Sequence, residues 1–186
     1  MTAMARPSGN RVSGEERVRK ILEERAQQLA RMTEGEVEQE LTDFIIVTVG
    51  PEKFALEIPA IQEIQTLRGL TSVPGAGEVW SGVVNLRGRL LPVLDMARVL
   101  GIRVTADYSE SGRVVVVSVG AYHMGLLVQD VLGVQRIANA EIRPSLVDAG
   151  GQAREIVSGI TSDMTSVLDL SALAGDPRVS LTESSA

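Results

Sequence analysis

The chain has no cysteine, a single histidine and few aromatic side chains, with Phe, Trp and Tyr making up 3% of its 186 residues. The missing cysteines exclude disulfides, thiolate nucleophiles and thiolate-ligated metals, and favour a reducing compartment. With His123 as the lone imidazole no histidine-based metal cluster can assemble, although carboxylate-only sites for magnesium or calcium stay open. Positive charge is in deficit: 18 Lys and Arg stand against 24 Asp and Glu, a net charge of -6, which argues against a general binder of nucleic acid or anionic membrane. No run approaches the ~18 apolar residues of a membrane span, and the opening MTAMARPSGN has no apolar signal core, so neither insertion nor export is expected. Neither GxxxxGK[ST] nor GxGxxG occurs, and the serines beside Gly82 and Gly159 lack a GxSxG context.

What is present is apolar and patterned. At 44% hydrophobic, the chain can build a core for one domain or two small ones. Residues 1–13 are small and polar, the composition of a disordered tail. Over 15–32, Val18, Ile21, Leu22, Leu29 and Met32 recur at helical spacing among charges and predict an amphipathic helix, joined to the body by the acidic stretch 34–40. Its apolar face either packs back on the core or docks on a partner; the sequence leaves both open.

From Phe44 onward the chain repeats. FIIVTVGPEKFALEIPAIQEI (44–64) lies without a gap over VVVVSVGAYHMGLLVQDVLGV (114–134), so that Gly50 falls on Gly120, Leu56 on Leu126, Ile61 on Val131 and Ile64 on Val134. Ser81-Gly82 then matches Ser158-Gly159, and Leu94-Asp95-Met96 matches Leu168-Asp169-Leu170, the second copy being shorter at the turn between these anchors. The expected body is mainly β: two tandem five-stranded small barrels, about 44–101 and 114–175, each with one short helix, with exchange of strands between them left open. Residues 103–113 link the copies, 145–153 form a loop, and 176–186 read as a polar tail.

The most informative stretch is GVVNLRGRLLPVLDMARVLG (82–101). It reads as strand, Arg87-Gly88 turn, strand, with Arg87 displayed at the tip. Pro92 belongs near an edge or a bulge. Asp95 stands where it can cap a helix carrying Met96, Val99 and Leu100, which Gly101 ends. Glu63 is either a solvated strand residue or a charge partner that orients Arg87. His123 falls at a hairpin turn, an exposed position without the orienting partner a catalytic base needs. One enzymatic reading survives: Asp95 and Asp169, related by the repeat, as a coupled carboxylate pair. Against it, each immediately precedes a helical pattern, as an N-cap does.

These strings resemble CheW, the coupling protein of bacterial chemosensory arrays, and its paralogue, the regulatory domain of the CheA histidine kinase. The resemblance rests on FxxxxxGxxxFALEIxxxQEI at 44–64, GVVNLRGRLLPVLDM at 82–96, EIRP at 141–144 and SVLDL at 166–170, with Met96 in place of the usual leucine. It implies two five-stranded barrels side by side, a groove holding the chemoreceptor tip, and outer ends that contact the kinase. Carried over by position, it implies receptor contact near Ile61, Glu63, Val84 and Arg87 and near Val131 and Val134, and a contact used in array rings at Arg143 and Pro144. The implied partners are a CheA-type histidine kinase, the cytoplasmic tip of chemoreceptors and other CheW-like domains, with no nucleic acid, no membrane insertion and no cofactor. A cytoplasmic, non-catalytic adaptor recruited to membrane-associated arrays is the resulting expectation; a scaffold for surface motility, development or second-messenger output is the alternative. With no kinase or phosphotransfer segment in the chain, it reads as a stand-alone coupling protein.

Overall fold

A computed structural model describes residues 40–104, 111–144 and 153–179. The amphipathic stretch 15–32 and the acidic stretch 34–39 lie outside the described residues. Ten strands follow in order: β1 (Leu41–Val49), β2 (Glu52–Glu57), β3 (Ile61–Thr66), β4 (Trp80–Leu86), β5 (Arg89–Asp95), β6 (Arg113–Val119), β7 (Tyr122–Val128), β8 (Asp130–Ala138), β9 (Val157–Ile160) and β10 (Ser166–Leu168). Short helices span Met96–Leu100 after β5, Ala153–Ile156 before β9 and Leu170–Gly175 after β10.

The repeat is visible in the hydrogen-bond register. β1 and β2 pair from Phe44↔Glu57 to Val49↔Glu52, and β6 and β7 pair at the corresponding positions, from Val114↔Leu127 to Val119↔Tyr122. Gly50 and Gly120 begin the two equivalent turns. His123 therefore lies on β7 opposite Ser118, just past the turn in which the sequence suggested it, and it is exposed.

Strand partners, however, are traded between copies. One sheet has the order β8-β1-β2-β10-β9 and the other β3-β6-β7-β5-β4. The first copy lends β3, β4 and β5 to the sheet built on β6 and β7, and the second lends β8, β9 and β10 to the sheet built on β1 and β2. The trade is reciprocal to the residue: Ile64 pairs with Val115 just as Val134 pairs with Ile45, and Val93 pairs with Gly125 as Val167 does with Ala55. The exchange of strands left open by the sequence is thus what the structure has, and the two copies, 44–101 and 114–175, build two sheets of mixed origin. Strand pairing closes neither sheet: beyond the ladders, single bridges, Thr71↔Val83 and Arg143↔Ile160, link the far edges.

Those two bridges explain the repeated Ser-Gly. A Cβ on Gly82 would overlap the carbonyl of Thr71, and one on Gly159 would overlap Ile142 and the carbonyl of Arg143. At both places only a residue without a side chain lets the crossing backbone approach.

The core follows from strands buried on both faces. The run Val114–Val117 is wholly buried, as unbroken apolar runs in central strands are. Along β1, Ile45, Val47 and Val49 face a large core shared with Val93, Leu94, Val115 and Leu126 of the other sheet. Phe44 and Ile46, on the alternate face, join Ala55, Ile137 and Val167 in a smaller one. Pro92 sits one strand in from an edge, yet β7 pairs with β5 only from Val93 onward, so its missing N–H breaks no bond of that ladder.

The first residues of the stretch read as a polar tail, 176–179, depart from expectation. Residues 176–179 are packed: Val179 is 1% exposed, and Arg178 donates to both oxygens of Asp176 and, from Nη1 at 3.1 Å, to the carbonyl of Val99. That carbonyl belongs to the first copy's helix.

Candidate functional site

The turn between β4 and β5 has two residues, because Leu86 and Arg89 form the last pair. Both lie in left-handed backbone, Arg87 at φ 50° and Gly88 at φ 84°, the shape that suits the twist of a two-residue hairpin. Glycine adopts it freely, whereas an arginine there costs on the order of 1 kcal/mol or more. The Asn85 side chain steadies the turn by accepting from the Gly88 N–H at 2.8 Å.

At the tip, the Arg87 guanidinium donates from Nη2 to Glu63 Oε2 at 2.7 Å. The arginine side chain is 81% exposed and the glutamate 24%. A pair this open is worth about 0–1 kcal/mol in stability, so its main physical effect is to fix where the guanidinium stands. Glu63 lies on β3 and Arg87 follows β4, the two outer strands of one sheet, and the pair spans the gap between them. Within that gap lies a cavity of about 230 Å³, lined by the apolar residues Leu67, Val84, Leu91, Val114 and Val116.

The residues implied as contacts are distributed unevenly. Glu63 and Arg87 come together as expected of a charge pair. Ile61 and Val131 are half-buried and pack against the large core from repeat-equivalent strands. Val84, expected at a contact surface, is 9% exposed and belongs to that core. Val134 stands on β8 of the other sheet and is 63% exposed. Arg143 makes the crossing bridge to Ile160, and Pro144 beside it is exposed. The edge strands β3 and β8 carry equivalent bulges, at Gln62 opposite β6 and at Leu132 opposite β1, which turn the neighbouring side chains.

The duplicated aspartates are caps. Asp95 Oδ1 accepts from the N–H of Ala97 and Arg98 at 3.0 and 3.2 Å, and Asp169 Oδ1 accepts from Ser171 and Ala172 at 2.8 and 2.9 Å. Each carboxylate serves its own helix, so the paired-carboxylate reading loses its geometric basis. Among the described residues no group of three or more His, Asp or Glu is placed to hold a metal ion. No helix among them is long and apolar enough to cross a membrane.

The second copy's hairpin carries a feature the sequence reading missed. Among the described residues only Arg87 and Met164 combine a side chain with positive φ, and both lie at repeat-equivalent hairpin tips. Met164, at φ 64°, is 75% exposed. Beside it Asp163 accepts from the hydroxyls of Thr161 and Thr165, and these bonds, the Thr161 one above all, hold its carboxyl below the usual range against a smaller opposing effect of burial. The Thr-Ser-Asp-Met-Thr string was the available signal. Glu63 has no counterpart in the second copy, because Gly133 occupies the equivalent position.

A duplicated two-sheet module with its carboxylates spent on caps and one arginine held out on a strained turn defines a β-module of the binding kind. A family model described as CheW-like domain matches residues 43–178, and the chain belongs to that family. The chain is 30% identical to a chemotaxis protein CheW of Klebsiella aerogenes over 118 residues, covering 63% of this chain and 70% of that one. It is 34% identical to protein FrzA of Myxococcus xanthus over 107 residues, covering 56% and 66%. The fold is similar to the crystal structure of the scaffolding protein TtCheW from Thermoanaerobacter tengcongensis, with a TM-score of 0.63 at 23% identity over 74% of this chain and 94% of that one.

Proposed function

We propose that this protein is a non-catalytic adaptor that couples the cytoplasmic tips of chemoreceptors to a CheA-type histidine kinase, and that Arg87, held by Glu63, is its receptor-recognition residue. The observation that carries this reading is the conformation of Arg87. A two-residue hairpin favours Asn-Gly or Gly-Gly, yet this one keeps a long cationic side chain in left-handed backbone and leaves it 81% exposed. Strain kept at an exposed tip points to a use for the side chain. A guanidinium so fixed makes several directed bonds to carboxylates or backbone carbonyls, and at the centre of an interface such a residue is worth about 2 kcal/mol or more.

Ile61, Val131 and Val134 would extend that contact, and Arg143 with Pro144 would face the kinase or another CheW-like domain. The protein would then work in the cytoplasm, recruited to arrays at the membrane. Titration of a receptor-tip fragment tests the reading: Arg87→Ala should weaken binding tenfold or more with the melting temperature unchanged. Equal binding by the variant would remove Arg87 from the site. The likeness to FrzA supports a second reading, a scaffold in a chemosensory pathway with another output. Co-purification from the source cell, scored by which receptor and kinase are retained, separates the two.

A further inference from the structure

As many strand ladders join the two copies to each other as hold each copy together. β1 pairs with β2 and β4 with β5 inside the first copy, and β6 with β7 and β9 with β10 inside the second. β1 with β8, β2 with β10, β3 with β6 and β5 with β7 run between the copies. Side chains reinforce the second set. Arg136 donates from Nε and Nη2 to Asp43 at 2.7 and 3.2 Å, Arg113 donates to Thr66, and Arg178 reaches the Val99 carbonyl. The register also says which copies fit. At repeat-equivalent positions Asp43 stands opposite Arg136 and Arg113 opposite Thr66. Pairing a first copy with a first copy would put Asp43 opposite Thr66 and lose the ion pair. Pairing a second with a second would put Arg113 opposite Arg136, like charges facing each other across a ladder. The sheets therefore complete themselves from unlike copies.

We infer that the partner this topology accepts is a second molecule of the same chain: the first copy of one completes its sheets with the second copy of the other, and the reverse, in an exchanged dimer. The inference stands apart from the adaptor reading above. Each ladder, ion pair and core contact between copies is the same in the closed monomer and in the dimer. The two forms differ in the course of the chain through 105–110 and in the entropy of association. Concentration therefore sets the balance. A second molecule competes with the tethered copy once it approaches the effective concentration that a short tether supplies, on the order of 1 mM. Passing from one form to the other breaks all the ladders between copies and parts the large core, in which Ile45 and Val47 of β1 meet Val115 and Leu126. The form that folds first is thus retained. Glu63 and Arg87 both belong to the first copy, so each half of the dimer keeps the pair and the particle displays two hairpin tips.

Refolding decides it. The full chain, unfolded in urea, is refolded at about 1 mM and again at about 1 μM, and sized by light scattering. The first should yield dimer that survives dilution, and the second monomer. Disulfide trapping then shows which strands pair, in a chain whose lack of cysteine gives a clean background. Asp43 and Arg136 face each other in an antiparallel ladder, where Cα atoms stand about 4.5–5.5 Å apart, within disulfide reach. Asp43→Cys chains refolded together with Arg136→Cys chains at the higher concentration should give a covalent dimer on oxidation. One chain carrying both substitutions, refolded dilute and oxidised, should close on itself and no longer dimerise when unfolded and refolded at the higher concentration. Monomer alone from the concentrated wild-type chain overturns the proposal without any variant. So does a dimer whose mixed cysteine chains stay unlinked, since such a dimer associates through its surface. Should these variants fail to fold, Thr48→Cys with Asp130→Cys, opposite each other in the same ladder, repeats the trap with the same two outcomes.

Discussion

Arg87 and Asp176 show how single residues in this chain are held against their preferences. Replacing Arg87 with glycine removes both the backbone strain and the ion pair, two terms each on the order of 1 kcal/mol that oppose each other. Arg87→Gly should therefore melt within a few degrees of wild type, and a large loss of stability would show the guanidinium to be structural. Asp176 is the buried counterpart. The Arg178 guanidinium holds its carboxyl below the usual range, with burial pulling the other way. A folded-state pKa below the unfolded one means stability that is present above the ordinary aspartate value, about 3.9, and is lost as pH falls through the folded value. Asp163 acts in the same sense. Asp176→Asn should melt below wild type at pH 7, with the gap narrowing below about pH 4. A gap that persists unchanged into acid would exclude the charge as its cause. At this scale the caps were legible in the sequence because Asp95 and Asp169 bond to N–H groups two and three residues away. The left-handed Arg87 was not legible, since arginine carries no turn preference that announces positive φ.

Among elements, local pairings were readable and distant ones were not. The hairpins β1–β2, β4–β5 and β6–β7 follow from a glycine in or beside each turn and apolar runs on either side. Strand alternation alone could not show that Val84 faces inward, because it gives two faces without saying which one meets the core. The two crossings test the closest distant contacts. Gly82 has φ 141°, and a methyl there meets the Thr71 backbone, which cannot yield as a flexible side chain would. Gly82→Ala and Gly159→Ala should each cost more than about 2 kcal/mol, measured by urea unfolding, as overpacking against backbone does. Gly133→Ala meets nothing within 4 Å and bears only the strain of its φ 134°. If it proves as damaging as the other two, close approach is not the reason for the repeated glycine.

For the whole molecule, the decisive feature is the reciprocal trade of strands. A repeat detected in sequence left open whether its two units are self-contained, because internal similarity reports common ancestry and carries no information about which edge pairs with which. Here neither copy holds a complete sheet: β3 pairs with β6, and β8 with β1. Fragments divided within 105–110 should each fail to unfold cooperatively alone and should regain a single transition when mixed. Two independent transitions from the isolated fragments would contradict the exchanged topology. The trade ties both sheets into one support for the hairpin tip that carries Arg87.

The central claim, an adaptor that works through Arg87, is tested most directly by reconstitution. Receptor in membranes and a CheA-type kinase are mixed with the full chain, and phosphoryl transfer to a response regulator is followed. The account predicts that the wild-type chain raises the rate above that of receptor and kinase alone, that attractant lowers it again, and that Arg87→Ala, folded and at equal concentration, leaves the rate near the basal level. A wild-type chain without effect on cognate receptor and kinase, or an Arg87→Ala chain that couples as well as wild type, would contradict it.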